Sequence, residues 1–168
     1  MRLESAVDNL RFQGMKESRL PGEALSLVTI RGLLLAIVFV GILGTGVELL
    51  LLGHFEDGVQ LVPLVLLAAA LVVAIWQVAA PGATGVRALQ FVMVLCVAGG
   101  LVGIGYHYAG NEEFEREQFP GIEGVTLVGG TLRGATPVLA PGSMALLGLV
   151  GLTYAHRHPR LIGRGIGL

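Results

Sequence analysis

Long apolar runs alternate with short polar breaks along this chain. Four windows lack Asp, Glu, Lys and Arg over lengths close to the roughly 20 residues that a helix needs to cross a hydrocarbon core. They are Gly32 to Gly53 (interrupted only by Glu48), Gly58 to Val86, Ala88 to Asn111 and Gly134 to Ala155. Lipid offers no hydrogen bonds to a bare backbone, and the sustained Leu/Val/Ala/Ile content favours helices over alternating barrel strands. The pattern predicts an all-α integral membrane protein with four antiparallel transmembrane helices, spans at about 31–53, 60–80, 87–108 and 137–156.

The breaks organise the rest. Residues 1–26 form a polar, mixed-charge arm in which Leu3, Val7 and Leu10 recur at helical spacing. It reads either as an amphipathic helix that ends at Pro21-Gly22 or as a disordered segment. Residues 27–158 make up the transmembrane domain, and 159–168 a tail. The short His54 to Gly58 connection pairs spans one and two as a hairpin. Span two, apolar on every side from Leu61 to Ile75, is expected to be the most lipid-exposed. Between Asn111 and Gly134 a polar loop breaks at Pro120-Gly121. Ile122, Val125, Val128 and Leu132 then recur at helical spacing, predicting a short interfacial helix between spans three and four. Pro137 and Pro141-Gly142 suggest an unwound entry to span four.

Small residues mark where helices can approach. Gly41, Gly44 and Thr45 share one side of span one, Gly99 and Gly103 form a GxxxG pair in span three, and Gly148 and Gly151 make a ridge on span four. Glu48 follows Gly41, Gly44 and Thr45 by seven, four and three residues. It is therefore expected on the same close-contact face, turned toward span three or four.

Composition removes any soluble alternative. With 54% hydrophobic and 14% charged residues, the chain of 168 has too few charges to cover a water-soluble globule. The net charge of −1 is uninformative, whereas its distribution is not. Nine Lys and Arg residues fall in the amino-terminal segment, the second connection and the tail; only Arg116 and Arg133 lie in the other connections. By the positive-inside rule both termini are expected to be cytoplasmic, in a bacterial-type inner membrane rather than an organelle membrane. A single cysteine, Cys96, leaves no intramolecular disulfide and no CxxC motif.

Candidate chemistry is sparse. Glu48 is the sharpest case, because a carboxylate at membrane depth usually faces a partner or a watery cavity. It is the candidate for ion or proton handling, with His107 and Arg133 as partners. On the outward side His54, Glu56, Asp57, His107, Glu112 and Glu113 are of metal-ligand type, which makes a divalent metal the candidate cofactor there. No fixed ligand spacing accompanies them, and a solvated acidic surface accounts for the same residues. His156-Arg157-His158 with Arg160 reads as basic anchoring at the headgroups. There is no GxSxG, no HExxH, no phosphate-binding glycine loop and no basic patch beyond topology, so catalysis and nucleic-acid binding are not expected. The reading is a small polytopic membrane subunit or scaffold in the bilayer, packing with itself as a homo-oligomer or with other membrane subunits. The alternative is a small transporter, channel or metal-handling protein using Glu48 and the outward His/carboxylate group.

Overall fold

The computed structural model describes residues 2–162, with side chains from Leu25 onward. The described chain is all-helical. Helix α1 runs Arg2–Leu51, α2 Gly58–Ala79, α3 Ala83–Gln118, α4 Gly124–Arg133, α5 Gly142–Ala155 and α6 Pro159–Ile162. Three helices are long and apolar enough to cross a membrane: Leu25–Leu51 of α1, all of α2, and α3. The protein is thus an integral membrane protein by length and composition.

Two boundaries differ from the sequence reading. Helix α1 continues through Pro21 and Gly22. A long helix absorbs the one backbone hydrogen bond that a proline removes, so the expected break there is absent. Helix α3 continues past Tyr108 to Gln118, taking Asn111 to Glu117 out of the loop. That stretch is rich in helix-forming Glu and Arg, and Glu112 and Arg116 close an i,i+4 ion pair at 2.8 Å. The helix stops where Pro120 follows and Gly121 adopts φ +94, a conformation that suits glycine.

α3 packs against α2 and α5, and α1 packs against the same two, so the four lie in the cyclic order α1, α2, α3, α5. The core is built from Val38 and Ile42 of α1, Leu67, Ala70 and Ala74 of α2, Val86, Leu89, Met93 and Cys96 of α3, and Met144 and Leu147 of α5. The tightest seam joins α3 to α5. A Cβ on Gly148 would lie 2.6 Å from the Met93 carbonyl oxygen, and one on Gly100 the same distance from the Ala145 amide nitrogen. Absence of those side chains lets two backbones touch, which replaces the hydrophobic drive that lipid removes.

The expectation that α2 is the most lipid-exposed span is not met. Only 11% of the α1 span window is buried, against 17% for α2 and 28% for α3. Gly41 meets Leu147, but Gly44 and Gly46, farther out, face open space. The cause lies in α5, whose regular turns begin only at Gly142, so the outer half of α1 has no regular turn of α5 opposite it.

Candidate functional site

Two polar groups of residues sit at opposite ends of the bundle, and neither contains Glu48. At the acidic end, Asn111 is buried on α3 and ties down the chain that returns from α4. Its amide nitrogen donates to the Thr131 carbonyl (3.0 Å) and the Thr136 carbonyl (2.7 Å). Its carbonyl oxygen accepts from the Thr136 hydroxyl (2.7 Å) and the Thr136 amide (3.2 Å). Gly134 makes room, since a Cβ there would lie 2.6 Å from the Asn111 side chain. One turn farther out, Gly130 makes the same room for Glu115. α4 therefore runs antiparallel along the end of α3, and the predicted short helix is the return leg of a helical hairpin.

At the basic end, Arg31 of α1 reaches the carboxyl terminus of α5. Its guanidinium donates to the carbonyl oxygens of Tyr154 (2.6 Å), His156 (3.2 Å) and Arg157 (3.2 Å). Those are orphan carbonyls of a helix end, where a cation also meets the favourable end of the dipole. Beneath it Gln77 of α2 donates to the Tyr154 hydroxyl at 3.2 Å, across the diagonal of the bundle. Both side chains are buried, and the Gln77 carbonyl oxygen has no hydrogen-bond partner. It abuts Gly85, where any side chain would collide with it. The His158 ring lies against Tyr154 with centroids 5.3 Å apart. Burial, then the charges of Arg31 and Arg160, pushes its pKa below the ordinary histidine value.

The sequence-derived candidates are dispersed. Glu48, expected to face span three or four, is exposed on α1. Gly41 lies level with Leu147, so seven residues farther on the helix Glu48 passes the turn before α5 and meets no facing helix. It makes no hydrogen bond or ion pair among the described residues. Its proposed partners are engaged elsewhere: the His107 ring nitrogen Nδ1 is 3.1 Å from the Pro137 carbonyl, and Arg133 donates to the Gly129 carbonyl at 2.9 Å. Thr45 is half-buried.

The metal-type residues also have separate partners. Asp57 caps α2, its carboxylate accepting from the Val59 and Gln60 amides, while Gln60 accepts from the Glu56 amide. The arrangement is a variant of the capping box, with Gln60 at the third helical position reaching the amide before the N-cap instead of the N-cap amide itself. Glu112 is held by Arg116, Glu113 is exposed and His54 half-buried. Among the described residues no three His, Cys, Asp or Glu side chains come together to hold a metal. The packing glycines are placed unequally. Gly99 lies against Met144 and Leu66, Gly103 against Pro141, Gly148 and Gly151 against Met93, while Gly44 touches nothing.

Sequence reasoning did not single out Asn111, Arg31, Gln77 or Tyr154 as a connected set. The available signal was an amide side chain at the edge of each of two apolar windows, since a buried amide demands partners. Compared with protein-family models, curated proteins and solved structures, the chain shows no match.

Proposed function

We propose that the chain is a non-enzymatic membrane subunit or scaffold that associates with itself or with a larger complex through the outer half of α1. The supporting observation is the unequal use of its small residues. Gly100, Gly148 and Gly151 are filled by contacts within the chain, whereas Gly44 and Gly46 in the outer half of α1 meet nothing within 4 Å. Glu48 lies on the same open half of the helix. A carboxylate within an apolar run favours a surface where a protein group can meet it.

The reading includes a fourth span and cytoplasmic termini. α5 alone has 14 residues, about 21 Å. Ahead of it, the Ala140, Gly142, Ser143 and Met144 amides donate in turn to the Pro137, Leu139, Ala140 and Pro141 carbonyls. Hydrogen bonds of that i→i+3 kind describe a tighter helix with a rise of about 2 Å per residue, so the five residues 137–141 add roughly 10 Å. The sum approaches the roughly 30 Å of a hydrocarbon core. Within this stretch Val138 is buried while Pro137, Leu139 and Ala140 are exposed, so its own i→i+3 hydrogen bonds are what satisfy the backbone there. Nine of the 11 Lys and Arg residues then lie on one side, as expected of the cytoplasmic side of an inner membrane.

The test is Gly44→Leu in protein extracted into lipid nanodiscs, followed by native mass spectrometry. Wild type is expected as an oligomer or with co-purifying chains, and the variant as a monomer of unchanged helix content. Monomeric wild type that retains no other chain overturns the proposal.

A further inference from the structure

His158 sits where α5 ends and the short α6 begins, and the surrounding geometry accepts it in only one charge state. The residue is 7% exposed. Its Nδ1 accepts the Arg160 backbone amide at 3.3 Å, which a protonated nitrogen cannot do. The preceding residue, Arg157, has φ 44. For a non-glycine residue that left-handed conformation is strained and persists only where neighbours hold it. Two groups hold this turn: Arg31, through the carbonyls of Tyr154, His156 and Arg157, and the His158 ring packed on Tyr154. Beyond the turn, Leu161 packs against the apolar core and α6 touches α3.

Every charged group with a described side chain at this end is a cation. Arg31 comes from α1, Arg160 from α6, and Arg87 from the first turns of α3; α2 presents neutral Gln77, α5 neutral Tyr154, and Arg157 lies in the turn beside His156, a second titratable ring that is exposed to solvent. From Leu25 to Ile162 the acids are Glu48, Glu56, Asp57, Glu112, Glu113, Glu115, Glu117 and Glu123, all toward the opposite end. The next acid along α1 is Glu23, eight residues before Arg31 and about 12 Å away along the axis; its side chain lies outside the described residues.

We propose that His158 is a pH-operated latch, which holds α6 on the bundle while the ring is neutral and releases α6, loosening the Arg31 clamp on α5, when the ring gains a proton. Protonation removes the acceptor for the Arg160 amide and places a new cation between Arg31 and Arg160. The bistable element is the strained turn, and the bias is a single charge. This is independent of whether the protein associates with partners.

The sign follows from linkage. A histidine whose latched pKa lies below its free value binds fewer protons when latched. The latch is at full strength above the ordinary value of about 6.5 and weakens as pH falls from there toward the lowered value. With one coupled proton, the released-to-latched ratio rises by at most about tenfold per pH unit.

The experiment uses the full chain in nanodiscs, with Cys96→Ala and a nitroxide on Ile162→Cys, an exposed α6 position. Label mobility is followed from pH 8 to pH 5 by electron paramagnetic resonance, and the His158 ring by NMR of labelled histidine. The expected result is a rise in mobility whose midpoint coincides with the ring titration and which disappears in His158→Asn, a side chain that can still accept the amide but not a charge. Constant mobility across that range overturns the proposal. So does a rise that survives in His158→Asn, or one whose midpoint departs from the ring titration; the last comparison needs only the wild-type ring.

Discussion

Single side chains do unequal work here, and their exposure separates the structural ones from the open ones. Asn111 makes four hydrogen bonds from a buried position. Asn111→Ala removes all four bonds; the Thr131 carbonyl keeps the Gly134 amide and Thr136 is exposed to solvent, so a loss of about 1–3 kcal/mol in total is expected. Equilibrium unfolding in mixed micelles should show that loss, and limited proteolysis should cut at the Gly121 to Gly124 tip. At Gly148, a Cβ would strike the Met93 carbonyl, which is backbone and cannot swing aside. Gly148→Ala should cost roughly 1–3 kcal/mol as overpacking. Gly44→Ala, with nothing within 4 Å, should be neutral or stabilising by up to about 1 kcal/mol in the same unfolding measurement. Both glycines stand in apolar, small-residue surroundings in the sequence, so spacing alone could not tell them apart. Glu48 shows the same limit. Its side of α1 was legible from helical geometry, but whether a helix stands opposite depends on where α5 begins, which is a tertiary fact.

Helices were more legible than their contacts. Apolar windows locate α1, α2, α3 and α5 because the requirement to satisfy backbone in lipid acts on each segment separately. The extension of α3 to Gln118 was less visible, since charged residues suit loops and helix surfaces alike. Its settling interactions are the Glu112 to Arg116 pair and the α4 contacts. Invisible in the chain was the use of Arg31, which reads as a topology-setting cation but closes α5. Arg31→Met keeps the apolar stem and removes the donors. It should lower stability by about 2 kcal/mol, the scale of one charged hydrogen bond, the part-buried one to the Tyr154 carbonyl. It should also raise the His158 pKa toward the ordinary value, because one of the depressing charges is gone. Histidine NMR of this variant reads that second effect separately from unfolding. A ring titration unchanged from wild type would mean that Arg31 does not act on His158.

For the whole molecule the question is how a short α5 forms part of a membrane bundle. Its carboxyl end is fixed level with Arg31 by three hydrogen-bonded carbonyls, and its entry is fixed to α3 by the His107 contact with Pro137 and by Gly103 against Pro141. If Arg31 and Arg87 lie at one membrane face, those contacts require the chain to return to that face by Ala155. The hairpin of α4 on α3 must then project from the opposite face. α3 is 36 residues long, about 54 Å, so some 20 Å stands beyond a hydrocarbon core of about 30 Å. The prediction is a labelling pattern in sealed, right-side-out vesicles with Cys96→Ala as background. Glu56→Cys and Glu117→Cys should react with an impermeant maleimide at once, and Arg87→Cys and Ile162→Cys only after permeabilisation. All four exposures inverted would reverse the orientation while preserving four crossings. Reaction of Arg87→Cys and Ile162→Cys from opposite sides would mean that α5 does not cross, and would leave three spans with α5 as a helix packed at one surface.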